Sequence, residues 1–171
     1  MNDDKDKGKV SATRRGLLTR LAGLAGAWGL GAAARPVQAA EDASSLRFPD
    51  DPAEHKVVYQ LNKADQDYQD HILFSVGAML RAFPDNIHIV VVAIGPGIHL
   101  LAKSPGRPVS PHNRERVSSM VHYGVEFHAC GNTLKSLGWS ADDLEPFAKV
   151  VEVGAADLML LQEQGYAYIS W

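Results

Sequence analysis

From residue 56 onward, hydrophobic and polar positions change period several times, and each change marks an element. Lys56-Val57-Val58-Tyr59-Gln60-Leu61 reads as a strand. Asp65 to Phe83 then places Tyr68, Ile72, Val76, Met79, Leu80 and Phe83 at helical spacing. Pro84-Asp85-Asn86 stops that helix. Ile87 to Ile94 is almost continuously apolar and rich in β-branched residues, the pattern of a strand buried on both faces, and so predicts the sheet centre. Gly95-Pro96-Gly97 turns into a short helix over Ile98 to Lys103, Ser104 to Pro108 is a loop, and a helix is expected over Pro111 to His122.

Val125 to Cys130 alternates again, with Val125, Phe127 and Ala129 on one face and Glu126, His128 and Cys130 on the other. Gly131-Asn132-Thr133 supplies a turn and an N-cap for a short helix from Asn132 to Leu137. A further helix is expected around Asp142 to Ala148. The last two strands, Val150 to Val153 and Ala167 to Ile169, flank a helix over Ala155 to Gln164. About five strands alternating with helices predict an α/β fold with a mainly parallel central sheet, over residues 55–171.

The first 54 residues follow another pattern. Thr13-Arg14-Arg15-Gly16-Leu17-Leu18 precedes a Gly/Ala/Leu run to Ala34, and Arg35-Pro36-Val37-Gln38-Ala39 closes it with small residues, so residues 1–39 are expected to be a cleavable export signal. The paired arginines and modestly apolar core resemble a twin-arginine signal, although Thr13, Leu17 and Thr19 stand where serine, phenylalanine and lysine are commonest. The expected location is periplasmic, with no stable membrane insertion after cleavage. Residues 40–54, with Pro49-Asp50-Asp51-Pro52, read as a flexible linker.

Charge changes the picture less than it first suggests. The formal net charge is −3, but residues 1–39 hold seven of the 17 Lys and Arg and three of the 20 Asp and Glu. The remainder keeps ten basic and 17 acidic residues, a net −7, which argues against a nucleic acid partner. A single cysteine excludes an intramolecular disulfide.

That cysteine is the main chemical candidate. Cys130 ends a strand and precedes a helix start, where ligand crevices of parallel sheets lie and where free amides favour a thiolate. Gly131, Asn132 and Thr133 are the expected stabilising positions, and His128, on the same strand face, is a second candidate for tuning the thiol. Gly95 and Gly97 either present backbone amides to an anion or serve as a plain turn. The alternative for Cys130 is a packed, unreactive thiol. His128-x-Cys130 offers two soft ligands where a structural zinc site needs four, so no metal is expected, and no Walker, Rossmann or G-x-S-x-G motif occurs.

Tyr123-Gly124-Val125-Glu126-Phe127-His128-Ala129-Cys130-Gly131-Asn132-Thr133-Leu134-Lys135, with Val153-Gly154-Ala155-Ala156-Asp157 and Leu160-Leu161-Gln162-Glu163-Gln164-Gly165-Tyr166-Ala167-Tyr168, resembles the DsrE/DsrF-like family over about residues 56–171. The resemblance implies a three-layer α/β/α domain that assembles as a trimer or hexamer. It also implies sulfur relay, with sulfane sulfur carried as a persulfide on Cys130 between a donor and an acceptor thiol, and no cofactor. The alternative function is a non-catalytic oligomeric binding or assembly protein with a structural cysteine.

Overall fold

The computed structural model describes residues 51–171. The expected export signal and most of the linker lie outside the described residues. Five strands, β1 (His55–Leu61), β2 (Ile87–Ala93), β3 (Glu126–Cys130), β4 (Ala148–Val151) and β5 (Ala167–Ile169), form one sheet in the order β4-β3-β2-β1-β5, and every pairing in it is parallel. Four α-helices connect them: α1 (Gln66–Ala82), α2 (Pro111–His122), α3 (Gly131–Leu137) and α4 (Gly154–Glu163).

Each strand has two faces because successive side chains alternate. Val57, Tyr59, Leu61, Ile89, Val91, Ala93, Phe127 and Ala129 point one way and pack with Ile72, Leu73 and Val76 of α1, Val117 and Met120 of α2, and Leu134 of α3 in the larger core. Val58, Val90 and Val92 point the other way and meet Leu158 and Leu161 of α4. The α4 connection must run from β4 at one edge to β5 at the opposite edge, and it therefore crosses the second face alone. Helices on both faces make the domain α/β/α.

Local sequence explains the element ends. Asp65 caps α1, its carboxylate accepting from the Tyr68 N–H at 2.9 Å, and Pro111 opens α2, where its missing N–H costs no intrahelical bond. Gly138 ends α3 at φ 70°, a left-handed conformation that glycine adopts without strain. Two side chains, Gln69 on α1 and Asn113 on α2, are fully buried with no hydrogen-bond partner among the described residues, a cost of about 1–3 kcal/mol for each group left so.

Several expected elements shift. The Gly95-Pro96-Gly97 segment is not a turn before a helix at Ile98; it is itself the start of a 3-10 helix, Gly95–Leu101. The segment around Asp142 to Ala148 is not a helix. It holds one 3-10 turn, Ala141–Asp143, closed by a capping box between Ser140 and Asp143. Leu144 then leaves the helical path to bridge Ala102, and the Glu145 N–H donates to the Leu101 carbonyl at 2.9 Å. Pro146, which has no N–H to donate, cannot continue the turn, and β4 starts two residues earlier than expected, at Ala148. The N-cap of α3 is Cys130 itself, with Gly131 already helical, so Asn132 and Thr133 sit in its first turn.

Candidate functional site

Cys130 is the last residue of β3, and Gly154 opens α4 shortly after the neighbouring strand β4 ends. Because β3 and β4 are adjacent and parallel, with Cys130 paired to Val151, their two strand-to-helix junctions lie side by side. The Gly154 N–H donates to the Cys130 Sγ at 3.2 Å. A Cβ at Gly154 would fall 2.7 Å from Ile94 Cγ1 and 3.0 Å from Cys130 Cβ, so the approach of the amide to the sulfur depends on glycine. Gly131 is similarly confined, since a Cβ there would lie 3.0 Å from the Val151 carbonyl oxygen.

Thr133, in the first turn of α3, completes the surroundings. Its Oγ1 accepts the Gly95 N–H at 2.9 Å, which leaves its own hydroxyl hydrogen to turn elsewhere. Cys130 is 4% exposed, and burial alone pushes its pKa up. The Gly154 N–H, the Thr133 hydroxyl and the Thr133 and Asn132 amides outweigh burial, so the thiol lies below its ordinary value. Of these donors Asn132 is the weakest, because its N–H already serves the Glu152 carbonyl at 3.2 Å. The start of α3 and the start of the ten-residue α4 thus converge on one sulfur, and both place partial positive charge there.

His128 does something different. Its Nδ1 faces Asp157 Oδ2 at 2.7 Å, its Nε2 faces Glu126 Oε2 at 3.1 Å, and the ring is buried. Both neighbours are carboxylates, so the ring is held between an acceptor on β3 and an acceptor on α4. Glu126 also meets His88 Nε2 at 3.1 Å, and His88 Nδ1 meets the Tyr166 hydroxyl at 2.7 Å. Burial raises the Glu126 pKa, but the hydrogen bonds and charges of His128 and His88 exceed that effect and hold it below its ordinary value. His128 is not among the groups that lower the Cys130 thiol; its contact with Asp157 ties the first turn of α4 to β3.

The candidate residues therefore divide. Cys130, Thr133 and, through Thr133, Gly95 come together; Gly131 allows the close fit, and Asn132 contributes a shared amide. Gly97 takes no part: its N–H donates to the Ile94 carbonyl, and a Cβ there would lie 2.1 Å from the Leu61 carbonyl oxygen, so glycine is required by the backbone of β1. Gly154, Asp157 and Glu126 join the site without having been singled out. The signal for Gly154 was present in the sequence, as a second glycine at a second strand-to-helix junction. Among the described residues no group of three or more His, Cys, Asp or Glu is arranged to hold a metal ion.

The family model of the DsrE/DsrF-like family matches residues 53–171. Among solved structures, the protein of unknown function MTH1491 from Methanobacterium thermoautotrophicum is 27% identical, with a TM-score of 0.62 over 69% of this chain and 100% of its own. The ychN protein from E. coli is 11% identical, with a TM-score of 0.58 over 68% of this chain and 99% of its own. BT1422 from Bacteroides thetaiotaomicron, a conserved protein of unknown function, is 16% identical, with a TM-score of 0.53 over 68% and 94%. No curated protein matches the sequence.

Proposed function

From the premise that this chain belongs to the DsrE/DsrF-like family, we propose that it relays sulfane sulfur, carried as a persulfide on Cys130 and passed to a partner thiol. The observation that carries this reading is the set of donors on the sulfur: the Gly154 N–H at 3.2 Å, with the Thr133 hydroxyl and amide. A merely packed thiol needs no such set, whereas a thiolate or persulfide anion does. In the loading step the Cys130 thiolate attacks the outer sulfur of a donor persulfide or polysulfide. The Sγ–S bond forms, the donor S–S bond breaks, and the departing thiolate takes up the proton. In the unloading step an acceptor thiolate attacks that outer sulfur and Cys130 leaves as a thiolate. No cofactor enters either step.

The proposal extends to assembly and place. Val150, Val153, Met159, Leu160, Tyr168 and Trp171 are exposed, and five of the six lie on or beside α4 and the edge strands β4 and β5. This apolar set suits the contact of a trimer or hexamer. Export through the twin-arginine route would put the assembly in the periplasm, with sulfur donors and acceptors of that compartment.

One observation favours the other reading, a binding or assembly protein with a structural cysteine: Cys130 is only 4% exposed. The two readings separate by alkylation of the native protein with iodoacetamide across pH, using Cys130→Ser as the blank. A relay thiol reacts in the folded state, with a rate that rises through a pKa below the ordinary thiol value. A thiol that reacts only after denaturation supports the structural reading.

A further inference from the structure

On the opposite side of the sheet from α4, helices α1 and α2 leave a cleft of about 550 Å³ between their C-terminal halves, a size within the range of small-molecule sites. Gly77, Leu80 and Met120 supply apolar lining, and Arg81, Arg116 and Tyr123 bring polar groups to it. We infer that this cleft is a binding site for an amphipathic organic monoanion, a small carboxylic acid with an apolar tail.

The first support is Gly77. Glycine is among the least favourable residues in a helix interior, and Gly77 stands in the middle of the 17-residue α1. At Gly97 and Gly154 a Cβ would strike backbone or close side chains, which accounts for glycine at both. At Gly77 a Cβ would meet only the ends of two flexible side chains, Arg81 Nη1 at 3.4 Å and Met120 Cε at 3.8 Å. Helix packing therefore does not require glycine there, and its effect is to keep the cleft open.

The second support is charge. Arg116 has a side chain 22% exposed and pairs with Asp70 at 3.6 Å, a contact that occupies at most part of its fork of donors. Arg81, exposed at the end of α1, adds a second guanidinium on the opposite wall. Asp85 lies at the closing loop and Asp70 pairs with Arg116, so two cations meet two carboxylates; Arg81 has no ion-pair partner among the described residues and is the group left to receive the carboxylate of a ligand. The third support is exposed aromatic surface: Tyr123, 71% exposed, lines the cleft, and Phe74, 66% exposed, stands three residues before Gly77 on α1.

Calorimetric titration of the full protein with decanoate, and with decanol as the uncharged counterpart, tests the site. Decanoate should bind at millimolar concentrations or below, and decanol roughly fivefold or more weakly, the scale of a charge-assisted hydrogen bond at a partly exposed site. Arg81→Gln should weaken decanoate by a similar factor and leave decanol unchanged. Gly77→Leu should abolish binding of both by filling the cleft, and Ser119→Leu does the same from α2 if the first variant fails to fold. Lys135→Gln, at an exposed position on α3, should change nothing. Absence of decanoate binding, equal affinity for decanol, binding that survives both leucine variants, or loss on Lys135→Gln would each overturn the inference.

Discussion

At the scale of single residues, the unusual group is a buried sulfur that is more acidic than an ordinary thiol. Burial and hydrogen bonding act on Cys130 in opposite directions, and the hydrogen bonds prevail because donors come from two helix starts at once. The N–H of Gly154 is the donor whose removal is most informative. Gly154→Ala introduces a Cβ 2.7 Å from Ile94 Cγ1, which pushes the amide away from the sulfur. Expected outcomes are a loss of about 1–3 kcal/mol in stability, the usual cost of overpacking, and an upward shift of the thiol pKa read from alkylation rates. Because the folded-state pKa of Cys130 is depressed, its contribution to stability is fully present above the ordinary thiol value and is lost as pH falls through the folded value. Urea unfolding of wild type and Cys130→Ser at several pH values checks that sign: the difference should grow in favour of wild type as pH rises.

Among the elements, β3 carries the sulfur and α4 brings the Gly154 amide to it. Gly154 and Asp157 share the first turn of α4, while His128 and Cys130 sit two residues apart on β3. The 2.7 Å contact of His128 Nδ1 with Asp157 therefore positions the Gly154 amide over the sulfur. Asp157→Asn keeps the shape but gives up the charge. It should move the alkylation pH profile upward while leaving the apolar contacts of Leu158 and Leu161 intact; an unchanged profile would reduce His128 and Asp157 to structural partners. Much of this architecture was legible in the sequence. The β-branched run at Ile87 to Ile94, the 3.6-residue spacing of α1 and the Cys-Gly junction after β3 each follow from local pattern, and the structure keeps them, the strand ending one residue earlier at Ala93. What local pattern missed was set by distant contacts. Asp142 to Ala148 carries acidic residues that suit a helix start, but the Leu101 and Ala102 backbone draws Leu144 and Glu145 out of it. Of the donors on Cys130, Asn132 and Thr133 were named from the sequence and Gly154 was missed for the same reason: it is 24 residues away and reaches the sulfur only because β3 and β4 are neighbours.

For the whole molecule, the proposed assembly draws its support from the uneven cover of the sheet. One face holds α1, α2 and α3, whereas the other holds α4 alone, with Met159 52% and Leu160 47% exposed. Leu160→Glu should convert the expected trimer or hexamer to smaller species in light scattering at tens of micromolar, because a charge in the centre of an apolar contact is left unpaired; an unaltered mass would place the interface elsewhere. Replacement of Arg14 and Arg15 together by Lys should block export if the twin-arginine route is used, and unchanged secretion would remove that route. The chemistry itself is tested most directly by intact-mass analysis of the purified native protein, before and after exposure to polysulfide. Sulfur relay predicts that wild type gains the mass of one sulfur atom, that a thiol reductant removes it, and that Cys130→Ser gains nothing under the same conditions. No added sulfur on wild type, or equal addition to the serine variant, would contradict a persulfide carried on Cys130.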